Sequence, residues 1–269
     1  MARSIHLQRK SVGFVSTMGY LHQGHLSLIQ KARRENDFVV VSIFVNPIQF
    51  GPKEDFQRYP RDLKRDVRLC KKAGVDVIFY PHAQDMYSKN FKTYVVVEEL
   101  SDKLCGSFRP GHFKGVTTVV AKLFNIVQPD IAYFGQKDAQ QAIIIKRMVK
   151  DLNIPVRIRV LPIVRESDGL AMSSRNVYLN EDERRRAVII YNALRYAQDL
   201  VRKKTKNSSF IINRVKNIIK PKVDKIDYIE IVDLEELLPV DKIKGKVLLA
   251  IAVRIGKTRL IDNSILKLP

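Results

Sequence analysis

Cysteine is scarce: the 269 residues hold two, Cys70 and Cys105, well separated along the chain and outside any C-x-x-C pattern. That excludes a disulfide framework and a cysteine-based metal site, and it points to the cytosol. Long apolar runs are missing too. None approaches the roughly 20 residues a bilayer-spanning helix requires, so no membrane partner is expected. Residues 1–11 are basic but lack the apolar core of a secretory signal. No internal repeat and no low-complexity segment occurs. The GxxxxGK[ST] spacing of a Walker A loop is also absent, so any phosphate site must be built differently.

What is present is a composition of 45% hydrophobic and 28% charged residues, that of a globular chain long enough for one large or two ordinary domains. The charge is unbalanced, 48 Lys and Arg against 28 Asp and Glu, for a net +20. A basic surface attracts polyanions, which raises nucleic acid as a partner. The excess is nevertheless spread evenly, +11 over residues 1–150 and +9 over residues 151–269. No basic tail, helix-turn-helix, zinc or RNP-like signature accompanies it, so a nucleic-acid partner is not expected. The same field helps a site for anionic substrates.

Apolar strands alternate with amphipathic helices through the first half. Strands are predicted at residues 12–17, 37–45, 75–80, 130–134 and 156–161, and helices at 24–35, 61–74, 116–127 and 139–152. The run from Phe38 to Val45 is almost continuously apolar, as suits a parallel strand buried on both faces. This order implies an α/β fold, a Rossmann-like doubly wound parallel sheet. Beyond Pro162 the pattern changes to one long helix over 181–204, a helix over 210–219 and strands at 228–232, 246–253 and 258–261. A smaller α+β C-terminal domain is therefore expected, with residues 1–163 forming the first domain and 164–269 the second.

The segment from Thr17 to His25 (T-M-G-Y-L-H-Q-G-H) joins the first strand to its helix. In an open parallel sheet ligands bind beyond the carboxyl ends of strands, so the position itself marks a candidate site. Gly19 and Gly24 let backbone approach a ligand, and the helix N-terminus offers N–H groups to phosphate. His22 and His25 share a face of the first turn, where two imidazoles can donate to phosphate oxygens and neutralise charge that grows there. The zinc alternative lacks a third ligand nearby.

Four more segments follow strands or loops. F-V-N-P-I-Q-F (Phe44 to Phe50) presents the amides Asn46 and Gln49, which suit a substrate carrying hydroxyls and a carboxylate. Arg109 to Lys122 joins a glycine-bearing loop to a helix whose valines read as core. F-G-Q-K-D-A-Q-Q (Phe134 to Gln141) carries Lys137, a flexible point charge suited to β- and γ-phosphates. L-A-M-S-S-R-N (Leu170 to Asn176) sets two hydroxyls before an arginine, a grouping able to clamp a triphosphate.

The H-Q-G-H of residues 22–25 resembles the HxGH signature of the nucleotidylyltransferase superfamily. The five motifs together, in order and spacing, resemble the pantothenate synthetase family from about Val12 to Asn176. That resemblance implies a homodimeric enzyme that uses ATP and Mg2+ to join pantoate to β-alanine through a pantoyl-adenylate, releasing AMP and pyrophosphate. It implies an ATP site of Met18, Gly19, Tyr20, Leu21, His22, Gln23, Gly24, His25, Gly135, Gln136, Lys137, Asp138, Val164, Met172, Ser173, Ser174 and Arg175. The catalytic groups implied are His25, in the position assigned as proton donor, with His22, Lys137 and Arg175. Gln49 and Gln141 are implied at pantoate, supported by Asn46, and Asp66 at Mg2+.

This chain departs from the family in places. Gln23 and Gln136 stand where Glu is common, which keeps the hydrogen-bonding shape and removes a charge. Ser16 and Tyr20 replace a usual Pro and Ala, and Tyr20 is expected to alter the mouth of the site. The segment before the first strand is short, with part of a family helix expected to be missing. The alternatives are another HxGH nucleotidylyltransferase, a class I tRNA synthetase fragment, or a non-catalytic basic nucleic-acid-binding protein.

Overall fold

The structure, a computed structural model, describes residues 2–52 and 54–269, the side chains of Ala2 and Arg3 excepted. Helix α1 (Ala2–Leu7) leads into strand β1 (Val12–Thr17), followed by α2 (Gln23–Glu35), β2 (Phe38–Ile43), α3 (Leu63–Lys72) and β3 (Val77–Phe79). Two short helices, α4 (Ala83–Met86) and α5 (Cys105–Phe108), precede α6 (His112–Val127), β4 (Ile131–Gly135), α7 (Ala139–Asp151) and β5 (Arg157–Leu161). The five strands form one parallel sheet in the order β3-β2-β1-β4-β5. The expected α/β Rossmann-like sheet is therefore present.

Strand β2 shows why its sequence lacks alternation. Val39, Val40 and Val41 are all fully buried; Val39 and Val41 pack with α2 and α3, whereas Val40 packs with α6 and α7 on the other face. Local signals end the helices that cover it. Asp62 caps α3 by accepting from the Arg65 N–H at 2.9 Å, and Lys71 and Lys72 close its last turn, matching the helix dipole.

The second half contains α8 (Glu181–Ala187), α9 (Ile189–Arg202), α10 (Ser208–Ile219) and an antiparallel sheet of β6 (Lys225–Val232), β7 (Val247–Ile255) and β8 (Thr258–Leu266). Strand β7 is buried on both faces. Leu249, Ile251 and Val253 pack against α9 and α10, while Leu248, Ala250 and Ala252 join the core of the first half. The small sheet thus carries its own core and is docked by an apolar face onto the larger one.

Two expectations change here. The single helix over 181–204 is divided at Val188, where the β-branched triplet Val188-Ile189-Ile190 is the weakest helix-forming stretch of the run. Strand β8 continues five residues past Ile261, through Asp262, Asn263 and Ser264, which are 3%, 4% and 5% exposed. A polar triplet reads as a strand end only while its partners are unknown; here it faces buried partners. The dense arginine cluster also has local partners, with Arg184 paired to Glu166 and Asp168, and Arg186 to Asp182 and Asp224. Among the described residues no helix is long and apolar enough to cross a membrane.

Truncating β7 at Ile251, which is fully buried among α9 and α10, removes contacts that no neighbour can replace. Ile251→Ala is expected to lower unfolding stability by roughly 2–5 kcal/mol, read as a shifted urea midpoint with unchanged m-value.

Candidate active site

The strand order reverses between β1 and β4, so the crevice of the sheet opens at Thr17 and Gly135. At the first of these the chain turns sharply, with Gly19 at φ +83° and Tyr20 at φ +51°. Asp66 of α3 holds that turn. It is 1% exposed, and its two carboxylate oxygens accept from the backbone N–H groups of Tyr20 at 2.7 Å and Leu21 at 2.8 Å. A Cβ at Gly19 would come within 3.1 Å of the same carboxylate, so this close approach needs glycine.

The two histidines cap α2. His22 Nδ1 accepts from the Gly24 N–H at 3.1 Å, and His25 Nδ1 accepts from the His22 N–H at 3.3 Å. The rings lie 4.0 Å apart, and a Cβ on residue 24 would stand 2.8 Å from the His22 ring, which explains the glycine between them. An Nδ1 that accepts leaves the ring proton on Nε2, so in the neutral form each imidazole offers an Nε2–H donor. Burial, followed by the charge of Lys137, pushes His22 down to about 4. Burial, then His22 and Lys137, pushes His25 well below the usual imidazole value. Both are neutral donors near pH 7. In the free protein each therefore offers a hydrogen bond rather than a positive charge.

Across the crevice stand Lys137, in the turn that follows β4, and the segment Met172 to Arg175. The Lys137 ammonium lies 3.7 Å from an oxygen of Asp138. Ser174 Oγ donates to the Tyr20 carbonyl at 3.2 Å, joining this segment to the turn opposite. Arg175 is gripped by Asp55 through Nε at 2.8 Å and Nη2 at 2.9 Å, and its guanidinium lies 5.3 Å from the Tyr59 ring centroid. Burial opposes the Asp55 charge, but the Arg175 hydrogen bonds and charge outweigh it and hold the carboxyl low.

Gln49 is held from both ends. Asn46 donates to Gln49 Oε1 at 2.9 Å and to the Gly115 carbonyl at 3.0 Å, while Tyr87 OH donates to Asn46 Oδ1 at 2.8 Å. His112 bonds the Gln49 carbonyl through Nδ1 at 2.9 Å, and Arg109 reaches His112 Nε2 at 3.0 Å. Since arginine has only donors, Nε2 must accept and Nδ1–H must donate. Burial and Arg109 push His112 down to about 4, consistent with that neutral tautomer. Glu54 anchors Arg109, accepting from its Nε at 2.7 Å. A Cβ at Gly115 would meet the Gln49 and Ile48 backbone at 2.6 Å, so α6 abuts this turn only because residue 115 is glycine.

Between these walls lies a cleft of two adjoining compartments, about 210 Å3 and about 420 Å3. His22, His25, Met18, Gln49, Gly135, Val164 and Met172 face the smaller one; Lys137, Asp138, Gln141, Ser173 and Arg175 border both. The Pantoate-beta-alanine ligase family model matches residues 1–265. The chain belongs to this family. It is 60% identical over 257 residues to the pantothenate synthetase of Fervidobacterium nodosum, covering 96% of this chain and 92% of that one. It is 56% identical over 268 residues to that of Caldicellulosiruptor saccharolyticus, covering 99% and 95%. The structure superposes on pantothenate synthetase from Thermus thermophilus with a TM-score of 0.92 at 48% identity, covering 95% of this chain and 93% of that one. Pantoate-beta-alanine ligase from Francisella tularensis, complexed with beta-gamma ATP and beta-alanine, gives 0.80 at 39% identity, covering 96% and 90%.

Several expected residues of this ligase-family site stand elsewhere. Leu21 is fully buried in the core, Gln23 is exposed on α2, and the Tyr20 ring lies under the Arg65 guanidinium, 5.2 Å away, outside both compartments. They shape the turn, and Tyr20 does not alter the mouth of the cleft. Gly19 and Gln136 also fall outside the lining. Asn46 is 1% exposed and orients Gln49 from behind. Asp66 is 1% exposed, faces neither compartment and gives each oxygen to a backbone N–H, so it supports the turn and presents no open face to a hydrated Mg2+. No cluster of three possible protein ligands occurs among the described residues. Sequence reasoning assigned no role to Asp55, Glu54, Arg109 or His112; the R-P-G-H spelling of residues 109–112 was the available signal, since Arg and His three apart meet on one turn.

His22 and His112 have folded-state values near 4 against an ordinary 6.5, so the unfolded chain binds more protons between those limits. The stability they contribute is complete above about pH 6.5 and is lost as pH falls toward about 4; urea midpoints across that window should decline, with a shallower slope in His112→Gln. Asp66→Asn, which places an amide against a buried backbone N–H, should lower unfolding stability by about 1–3 kcal/mol, read as a lower urea midpoint.

Proposed function

We propose that the cleft condenses pantoate with β-alanine by way of a pantoyl-adenylate made from ATP. The observation that carries this reading is the pair of Nε2–H donors at the N-terminus of α2, which shares its cleft with Lys137, Ser173 and Arg175. Donors of that kind, fixed before substrate arrives, stabilise charge that develops on a phosphoryl group without reorganising.

A pantoate carboxylate oxygen forms a bond to the α-phosphorus of ATP as the bond to pyrophosphate breaks. The β-alanine amine then forms a C–N bond to the acyl carbon, the C–O bond to AMP breaks, and the amine releases a proton. No enzyme nucleophile is required; positioning and electrostatics carry the rate. Gln49, immobilised by Asn46 and His112, and Gln141 supply amides for pantoate. Val116, Val119 and Val120 of α6 line the same compartment and give its apolar wall, which shields a mixed anhydride from water. Mg2+ bound with ATP would screen the triphosphate charge alongside Lys137 and Arg175. His25 serves as a hydrogen-bond donor at the phosphates, since its resting form is the neutral imidazole. Both cysteines are unpaired and buried, which suits the cytosol. A homodimer belongs to the same reading, with the exposed Tyr94 and Val96 offering apolar contact area.

The test is pyrophosphate release from ATP and Mg2+. We expect strict dependence on pantoate, with AMP and pantothenate appearing only after β-alanine is added. His25→Ala and Lys137→Ala should each lower the pantoate-dependent rate by about 100- to 1,000-fold. Pyrophosphate release without pantoate, driven instead by a nucleotide or phosphate ester, would favour a different HxGH nucleotidylyltransferase.

A further inference from the structure

Lys137 sits in a single 3-10 turn, Gln136–Asp138, between the end of β4 and the start of α7. The side chain that grips this turn comes from the other half of the molecule. Asn263, on β8, donates from Nδ2 to the Gln136 carbonyl at 2.9 Å and to the Lys137 carbonyl at 3.0 Å. Its Oδ1 accepts from Gln136 Nε2 at 3.2 Å. Both amide hydrogens and the amide oxygen are thus used at a site where Asn263 is 4% exposed.

The amide is itself held in place. The Asn263 N–H donates to Asp262 Oδ1 at 2.8 Å, and Asp262 is bound by both terminal nitrogens of Arg165, at 2.6 Å and 3.0 Å. Only asparagine satisfies this geometry. Aspartate has the same shape but would turn an acceptor toward two carbonyl oxygens, each then facing an oxygen in a buried place. Gln136 completes the arrangement for a similar reason, since a glutamate there could not donate to Oδ1.

We infer that Asn263 is a positioning residue for Lys137: β8 of the small sheet sets the backbone from which that ammonium reaches the phosphates. Docking of the two halves and assembly of the phosphate site are then one event, because the seam between them passes through the main chain of Lys137. This rests on the nucleotide reading of the cleft. It extends that reading by assigning a role to a residue outside the five motifs.

Binding of α,β-methylene-ATP to the full chain, measured by calorimetry without pantoate, tests the inference. Asn263→Asp should weaken binding about tenfold, as the loss of two buried backbone hydrogen bonds implies. Ser264→Ala, which removes the bond from Gln198 and a long one to the Ile265 carbonyl but none to the Lys137 turn, should bind like the unaltered protein. In a Lys137→Ala background Asn263→Asp should cause no further loss, which separates positioning of Lys137 from general loosening of the seam. Should Asn263→Asp fail to fold, Gln136→Met, which removes the third bond alone, should still weaken binding by about twofold, through Lys137 only. Binding unchanged in the foldable variants, or a loss that persists in full without the Lys137 side chain, overturns the inference. An unaltered, folded protein that does not bind the analogue removes the nucleotide reading and the inference together. Binding with the coupling present supports the inference even where pantoate drives no turnover.

Discussion

Two imidazole nitrogens satisfy the backbone at the start of α2, and the cleft is organised around that fact. A helix N-terminus has N–H groups with no partner inside the helix, and serine, threonine or aspartate oxygens normally meet them. Here His22 and His25 do so through Nδ1. One interaction therefore does three things: it ends the helix, fixes the tautomer, and leaves each Nε2–H free for a ligand. It also restricts the neighbours, since the His22 ring over residue 24 leaves room only for glycine. Asp66 completes the arrangement from α3 by holding the two N–H groups just before the cap.

The opposite wall is built from longer-range ties. Arg175 and Asp55 are 120 residues apart, as are Tyr178 and Arg58, and Ser174 and Tyr20 are separated by 154. Each draws the segment after β5 toward the loops of the large sheet. The Arg175–Asp55 pair is the consequential one, because it is partly buried and either member would be left uncompensated without the other. The small sheet adds an apolar face through Leu248, Ala250 and Ala252 and a polar one through Asp262 and Asn263. The apolar contact supplies cohesion, and the polar contact supplies register.

The departures from the family pattern sort themselves by position. Gln23 is exposed and Tyr20 lies against Arg65, so neither enters the cleft. Ser16 lines the smaller compartment, adding a hydroxyl to its wall where proline would give none. Gln136 uses the one property that distinguishes it from glutamate, its donor, to bond Asn263.

What the sequence determined by itself was whatever depends on local pattern. Burial on both faces removes alternation from a strand, so Val39 to Val41 announced a parallel sheet, and the glycines and histidines after the first strand marked a helix N-terminus at the sheet's crevice; that the histidines themselves cap it came from the structure. The five motifs placed Met18, His22, His25, Gln49, Lys137, Gln141 and Arg175 at one cleft, and the structure brings these residues to its lining. Tertiary structure alone decided what each polar side chain spends its hydrogen bonds on. Asp66 was assigned to Mg2+ by the family resemblance; its partners, 45 and 46 residues away, make it a support for the turn. The triplet Asp262-Asn263-Ser264 looked like the end of a strand because polar residues belong near water unless they are paired. Their partners, Arg165, the Lys137 turn and Gln198, come from distant parts of the chain, and no local pattern encodes a hydrogen bond across that distance.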